Sequence, residues 1–360
     1  MSPISLLPTV SETIFLQCLW QISWVLAVTS MAIAGGLVLW RFLEDHRNQR
    51  LKVRRVELER MIWGVLSTPV QISQTSMPSL KQDDIMLICD VALDILRPLR
   101  GEESARIVKL LESWPIGSYV KRTLERGRRG QRIRMLSLLA HFDDEGSLAL
   151  LKQSIGAKDF YVQLAALRSL AARNANECLP DILVHLARSK RQNPTMLADV
   201  LRRFGEPALP MLSSLASKAV QPEIRLAAIR ALDAIGSLEA VSPLVTLAAD
   251  ASPEIRAAAV NALGHLGDLR AEPIVIAALG DMDDGVRVQA ARAAGRLHLQ
   301  SATPILAHLL SDAFWWVRYR AAEALYSMGT IGQTFLQMRS KEVDRAGHAA
   351  AQLLAEKEAA

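Results

Sequence analysis

Cysteine is scarce in this 360-residue chain. Cys18, Cys89 and Cys178 are odd in number, far apart and without CxxC spacing, which excludes a disulfide framework and a paired-cysteine zinc site and fits a reducing compartment. Aromatic residues make up 5% of the chain, and the apolar content leans on Ala and Leu with little Val/Ile/Tyr/Phe alternation. Those are helix formers, so a sheet protein is excluded and an all-α fold is expected. Also missing are a glycine-rich phosphate loop, GxSxG and HExxH. The seven histidines are scattered, and "HFDDEG" at 141–146 reads as an acidic turn between helices rather than a metal site. No catalytic residue, metal or other cofactor is expected.

Charge is absent from residues 13–40, "TIFLQCLWQISWVLAVTSMAIAGGLVLW". As a helix rising about 1.5 Å per residue, this run exceeds the roughly 30 Å of a bilayer's hydrocarbon core. The segment is expected to span a membrane, with Trp20 and Trp40 near the two interfaces. Residues 1–12 carry no Lys or Arg, unlike the start of a cleaved signal peptide, so the span is expected to be retained behind a short N-terminal tail. The downstream flank holds Arg41, Arg47, Arg50, Lys52, Arg54 and Arg55. By the positive-inside rule it stays cytoplasmic. The expectation is a single-pass protein of the bacterial inner (plasma) membrane, N-terminus outside, with everything after residue 41 in the cytoplasm. Residues 41–66 read as a basic juxtamembrane helix, 67–78 as a linker with two prolines, and 79–127 as irregular leading helical repeats.

Past residue 127 a fixed period takes over. "PEIR" ends at Arg225 and Arg256, "DGVR" at Arg287 and "WWVR" at Arg318, in steps of 31. Gly205, Gly236, Gly267 and Gly329 keep the same step, with His298 in the gap, and Asp250, Asp281 and Asp312 form a third register. Three registers with one period imply a repeat array. Within one unit, apolar residues at Ile255, Ala259, Leu263 and Leu266 face one side of a helix that Gly267 stops, and a second helix starts near Pro273. The unit is a helical hairpin.

The pattern VRxxAAxAL, present as "VRYRAAEAL" and "IRAAAVNAL" with a G-[DS]-L turn, resembles the short HEAT repeats described as PBS-lyase-like. The resemblance covers roughly 128–360, loosely at "IRMLSLLAHF", "VQLAALRSLAA" and "NPTMLADVLRRFG", with 341–360 as a terminal cap helix. It implies an α-solenoid of HEAT-like hairpins. It also implies a structural ladder in which Asp250, Asp281 and Asp312 pair with arginines of adjacent turns, an acid standing six positions before each of Arg256, Arg287 and Arg318. Such repeats serve scaffolds, lyase subunits and hydroxylases alike. The His-Glu dipeptides that carry iron in the hydroxylases are absent here. The leading expectation is a non-catalytic adaptor that recruits a protein partner, which the resemblance associates with envelope polysaccharide glycosyltransferases. A lyase-like enzyme subunit is the first alternative, and a nucleic-acid or anionic-surface binding module the second.

Two features remain as candidate sites. The run 121–134 holds seven Lys/Arg against one acid. Lys121, Arg122, Arg126, Arg128 and Arg129, like Arg47, Arg50, Lys52, Arg54 and Arg55, are either a solvated face or a dock for anionic lipid or an acidic partner. Outside residues 41–60 and this run the chain is net negative, which argues against nucleic acid as partner. The second feature is Phe314, Trp315 and Trp316, followed by Arg320. Sister repeats place Asp283, Asp284 and Gly285 or Ser252, Pro253 and Glu254 there, at the turn before a helix. The triplet is either packed under the terminal cap or an exposed partner-binding anchor. A small-molecule ligand is left open.

Overall fold

The computed structural model describes residues 10–67, 82–99, 101–114, 116–187 and 193–359, and among them there is no strand. The chain divides into two compact units, 1–114 and 115–360.

In the first unit, α1 (Val10–Ser67) is one helix of 58 residues. The expected membrane span at 13–40 and juxtamembrane helix at 41–66 are continuous, because the residues after 40 are strong helix formers and no proline intervenes before Pro69. Within residues 19–46 an 18-residue stretch reaches a mean hydropathy of 2.0, and the segment is long enough to cross a bilayer. Farther along, Leu58 and Ile62 are fully buried in a small core with α2 (Gln82–Leu96) and α3 (Glu102–Glu112), which contribute Ile88, Val91, Ala92, Ile107 and Leu111. The basic juxtamembrane segment is therefore also the first helix of a bundle. The expected linker at 67–78 lies, but for Ser67, outside the described residues.

The second unit opens with α4 (Ile116–Arg126), which the sequence grouped with the leading repeats. Eight helices of one layer then stack in order: α5 (Arg129–Leu139), α7 (Phe160–Ala172), α9 (Pro194–Leu201), α11 (Pro222–Ile235), α13 (Pro253–Leu266), α15 (Asp284–Arg296), α17 (Trp315–Ser327) and α19 (Arg345–Ala359). Between them run the second-layer helices α6 (Glu145–Ile155), α8 (Leu179–Ala187), α10 (Leu209–Lys218), α12 (Val241–Leu247), α14 (Glu272–Ala278), α16 (Thr303–Leu309) and α18 (Thr330–Arg339).

The period appears in the backbone. Asn174, Gly205, Gly236, Gly267, His298 and Gly329 all have positive φ, between 50° and 80°, at intervals of 31 residues. Each ends a first-layer helix or its closing turn and redirects the chain into the next layer. Asn174, which the sequence reading did not include, extends the ruler one repeat upstream. Asn is among the side chains that tolerate the left-handed region best.

First-layer helices approach closely. A Cβ placed on Gly264 would lie 2.6 Å from the Ala293 Cβ, and one on Gly295 would lie 3.0 Å from the Ala324 Cα. The core between layers is built from small and branched apolar residues such as Ile255, Ala259, Leu263, Val286, Ala290 and Leu325, all fully buried.

Candidate functional site

The acid-arginine ladder sets the frame on which the aromatic residues sit. Arg225 bonds Asp250, Arg256 grips Asp281 through Nε and Nη2 at 2.9 and 2.8 Å, and Arg287 grips Asp312 at 2.9 and 3.1 Å. Each carboxylate thus belongs to the arginine 25 residues before it. The acid six positions before an arginine serves it through the backbone: Arg256, Arg287 and Arg318 donate Nη1 to the carbonyls of Asp250, Asp281 and Asp312 at 3.0, 2.8 and 2.8 Å. In the register where a further acid would face Arg318 stands Val343.

Each ladder carboxylate also accepts an N–H two residues on, from Ser252, Asp283 and Phe314, at 2.9 Å in each case. Hydrogen bonds from Arg225 and Arg256 hold the carboxyls of Asp250 and Asp281 below their ordinary range. The ladder fixes the inter-repeat turn, and in the last of these turns it fixes Phe314.

Phe314 precedes α17, and Trp315 and Trp316 are its first residues. The side chains remain open to solvent, Phe314 at 51%, Trp315 at 40% and Trp316 at 57%. The two indoles meet edge to face with centroids 4.5 Å apart, and Trp315 stacks on Tyr319 at 5.2 Å. Spacing i, i+4 brings Tyr319 beneath Trp315, a signal in the sequence that was not used. Helix α19 meets the cluster at Trp315 and Tyr319. Trp315 Nε1 donates to Gln352 at 3.4 Å, and the Tyr319 hydroxyl donates to the Glu356 carboxylate at 2.9 Å. That bond pushes the phenol's pKa above its ordinary value. Arg320 lies 5.9 Å from the Trp316 centroid and 5.4 Å from that of Tyr319, within cation-π range, and its Nη1 donates to Glu323 at 2.6 Å.

The other candidate residues are dispersed between the two units. On α1, Lys52 is exposed, Arg54 pairs with Glu57 at 2.9 Å, and Arg55 bonds Glu59 at 2.8 Å and Asp94 at 2.7 Å. The Arg47 and Arg50 side chains lie outside the described residues. In the second unit, α4 buries Ile116, Val120, Thr123 and Leu124, so Lys121, Arg122 and Arg126 fall on its open face. Arg128 is exposed. Arg129 bonds Asp159 at 2.6 Å and lies 5.1 Å over the Tyr161 ring.

Among the described residues no group of three or more His, Cys, Asp or Glu is placed to hold a metal ion. Burial, reinforced by Asp90, pushes the Cys89 thiol up to about 12, and burial raises Cys178 as well, so neither is poised as a nucleophile. Asp144 of the acidic turn caps α6, accepting the Ser147 N–H at 2.8 Å.

A family model described as HEAT repeats matches residues 179–264, 209–281, 243–326 and 271–355. The array is a HEAT-repeat solenoid. No curated protein matches the chain. Among solved structures, Kap95p, whose binding acts on the switch loops of RanGDP, is 12% identical over 84% of this chain and 49% of its own, with a TM-score of 0.49. Kap121p bound to Pho4p is 13% identical over 83% of this chain and 39% of its own, also at 0.49. An engineered protein is 17% identical over 83% of this chain and 88% of its own, at 0.34. The chain thus spans no more than about half of the two natural solenoids, and at these scores the likenesses carry no argument about function. No catalytic family is matched.

Proposed function

We propose that this protein is a non-catalytic adaptor: a helix in the plasma membrane carries a cytoplasmic HEAT-repeat array that binds a protein partner. The observation that carries the binding role is the exposed cluster of Phe314, Trp315, Trp316 and Tyr319 with Arg320. The repeats at 252–254 and 283–285 have no aromatic residue at the triplet positions, while α7 carries Phe160 and Tyr161 at the equivalents of Trp315 and Trp316, so repeat architecture admits aromatics there without requiring them and the full triplet is particular to α17. Aromatic residues and arginine are the types that dominate interface energetics, and contiguous exposed rings are costly unless something covers them. The membrane role rests on the length and composition of residues 19–46 and on the cationic flank behind them.

The test is affinity purification of the full chain from detergent-solubilised membranes, with and without Trp315→Ala/Trp316→Ala. A specific partner should co-purify with the parent and be lost from the double variant while circular dichroism is unchanged. A partner kept by the double variant, or a double variant that loses helicity, sinks the reading. The same capture tests the family expectation that the partner belongs to an envelope polysaccharide glycosyltransferase assembly.

A further inference from the structure

Behind the aromatic cluster, Arg292 and Arg296 of α15 and Arg320 of α17 border a cavity of about 380 Å³ floored by Gly295 and Ala324. Among its described lining residues the carboxylate is Glu323, which Arg320 bonds at 2.6 Å. Arg292 and Arg296 make their hydrogen bonds to neutral side chains, Gln289 at 3.4 Å and Asn261 at 3.1 Å. Three guanidinium groups line the cavity with one acid, Glu323, and Asp233 lies near enough to Arg296 to act on it as well. Burial, followed by the nearby Arg292, pushes the Arg296 guanidinium below its ordinary pKa, as crowded positive charge should. The neighbouring cleft across α11, α13 and α15 is balanced by contrast, with Arg230 and Arg292 against Asp233 and Glu254. Arg292 lines both clefts, so together they hold four arginines against three acids, and the surplus falls toward the end of the array that also bears the exposed rings.

We infer that this cavity and the aromatic cluster form one bipartite site for an acidic segment of the partner protein, with carboxylates at Arg292, Arg296 and Arg320 and an apolar side chain against Trp315 and Trp316. The inference rests on the adaptor reading and adds the chemistry of what is bound. Arg320 joins the two halves, since one guanidinium lines the cavity and lies against both Tyr319 and Trp316. A free anion would use the arginines and leave the rings wet. A peptide ties an acid to an apolar side chain within one or two residues, and the forked guanidinium matches a carboxylate. A polynucleotide would meet a chain that is net negative outside its two basic segments.

The experiment is a titration of the full chain in detergent micelles with a short labelled peptide carrying glutamates around a central leucine. Its glutamine counterpart serves as control, and inorganic phosphate and a single-stranded oligonucleotide as competitors. The glutamate peptide should bind at least tenfold tighter than the control, and Arg296→Gln should remove most of that difference with an unchanged melt. Arg292→Gln serves as a second variant should Arg296→Gln disturb packing. Trp315→Ala/Trp316→Ala should weaken both peptides. Equal binding of the two peptides, full binding by both arginine variants, or displacement by phosphate or the oligonucleotide at concentrations below the peptide's Kd would each overturn the assignment. A partner captured through the tryptophans but indifferent to Arg292→Gln and Arg296→Gln would leave the adaptor reading intact and remove this one alone.

Discussion

Gly267 and Gly329 occupy equivalent places in their repeats but make different demands on the backbone. Gly267 lies at φ 75°, ψ 12°, the left-handed helical region, whereas Gly329 lies at φ 80°, ψ −150°, which is open essentially to glycine alone. No atom stands within 4 Å of a Cβ at either position, so a substitution there measures conformational strain and not crowding. Gly267→Ala should cost about 1–2 kcal/mol and Gly329→Ala more, within the ~1–3 kcal/mol range of such conformers. Urea denaturation, with hydrogen exchange to locate the loss, would check the order; equal costs would refute it. The ruler itself was legible because glycine is conspicuous. Asn174 was not, because a residue that merely tolerates positive φ leaves no mark in composition.

At the scale of elements, the ladder shows what spacing can and cannot convey. Acids at 31-residue intervals beside arginines announced a ladder, but the partner of each carboxylate depends on which turns the stack brings together. That is a property of the rise from repeat to repeat. The pair Arg256 and Asp281 keeps 19% and 15% of its side-chain surface exposed, so solvent screens part of its attraction. Asp281→Asn should cost on the order of 1 kcal/mol at neutral pH, as expected for loss of a charged hydrogen-bond partner that water partly replaces. Because Asp281 has its pKa depressed in the folded state, its contribution is fully present above the unfolded value of about 3.9 and is lost as pH falls through the lower folded value. Stability followed by circular dichroism should therefore fall below about pH 4 in the parent and fall less steeply in Asp281→Asn. A variant with the parental slope would show that the pair does not contribute.

Close packing of the first layer yields a second prediction at this scale. Gly264→Ala forces a methyl group to within 2.6 Å of the Ala293 Cβ, and overpacking of this kind costs about 1–3 kcal/mol. Adding Ala293→Gly should recover part of the loss, giving a favourable coupling in a double-mutant cycle. Additive costs would mean that the helices separate freely. The sequence displayed these small residues as alanine-rich faces, but which of them touch became evident only with the helices in place. The cavity at Arg292 and Arg296 was hidden for the same reason, since these two lie on α15 and Arg320 on α17, with α16 between them in the chain.

For the whole molecule, the legible part of the proposed anchor was its uncharged length. Helix at 41–66 was legible too, but its burial of Leu58 and Ile62 against α2 and α3 was not, since that depends on which helices pack there. Residues 19–46 expose Val25, Val28, Ile33 and Leu37 along their surface, which suits lipid and not water. One arginine at the centre of a span costs roughly 2.5–3.5 kcal/mol on insertion scales, less than a long apolar segment gains. Val28→Arg alone should therefore remain in the membrane fraction after carbonate extraction. Val28→Arg/Ile33→Arg, with two charges near the bilayer midplane, should leave it substantially. In the parent, protease added to spheroplasts should spare the repeats, and protease added to inverted vesicles should remove them. Digestion from outside, or a double variant that resists extraction as fully as the parent, would overturn both the anchor and the cytoplasmic placement of the array.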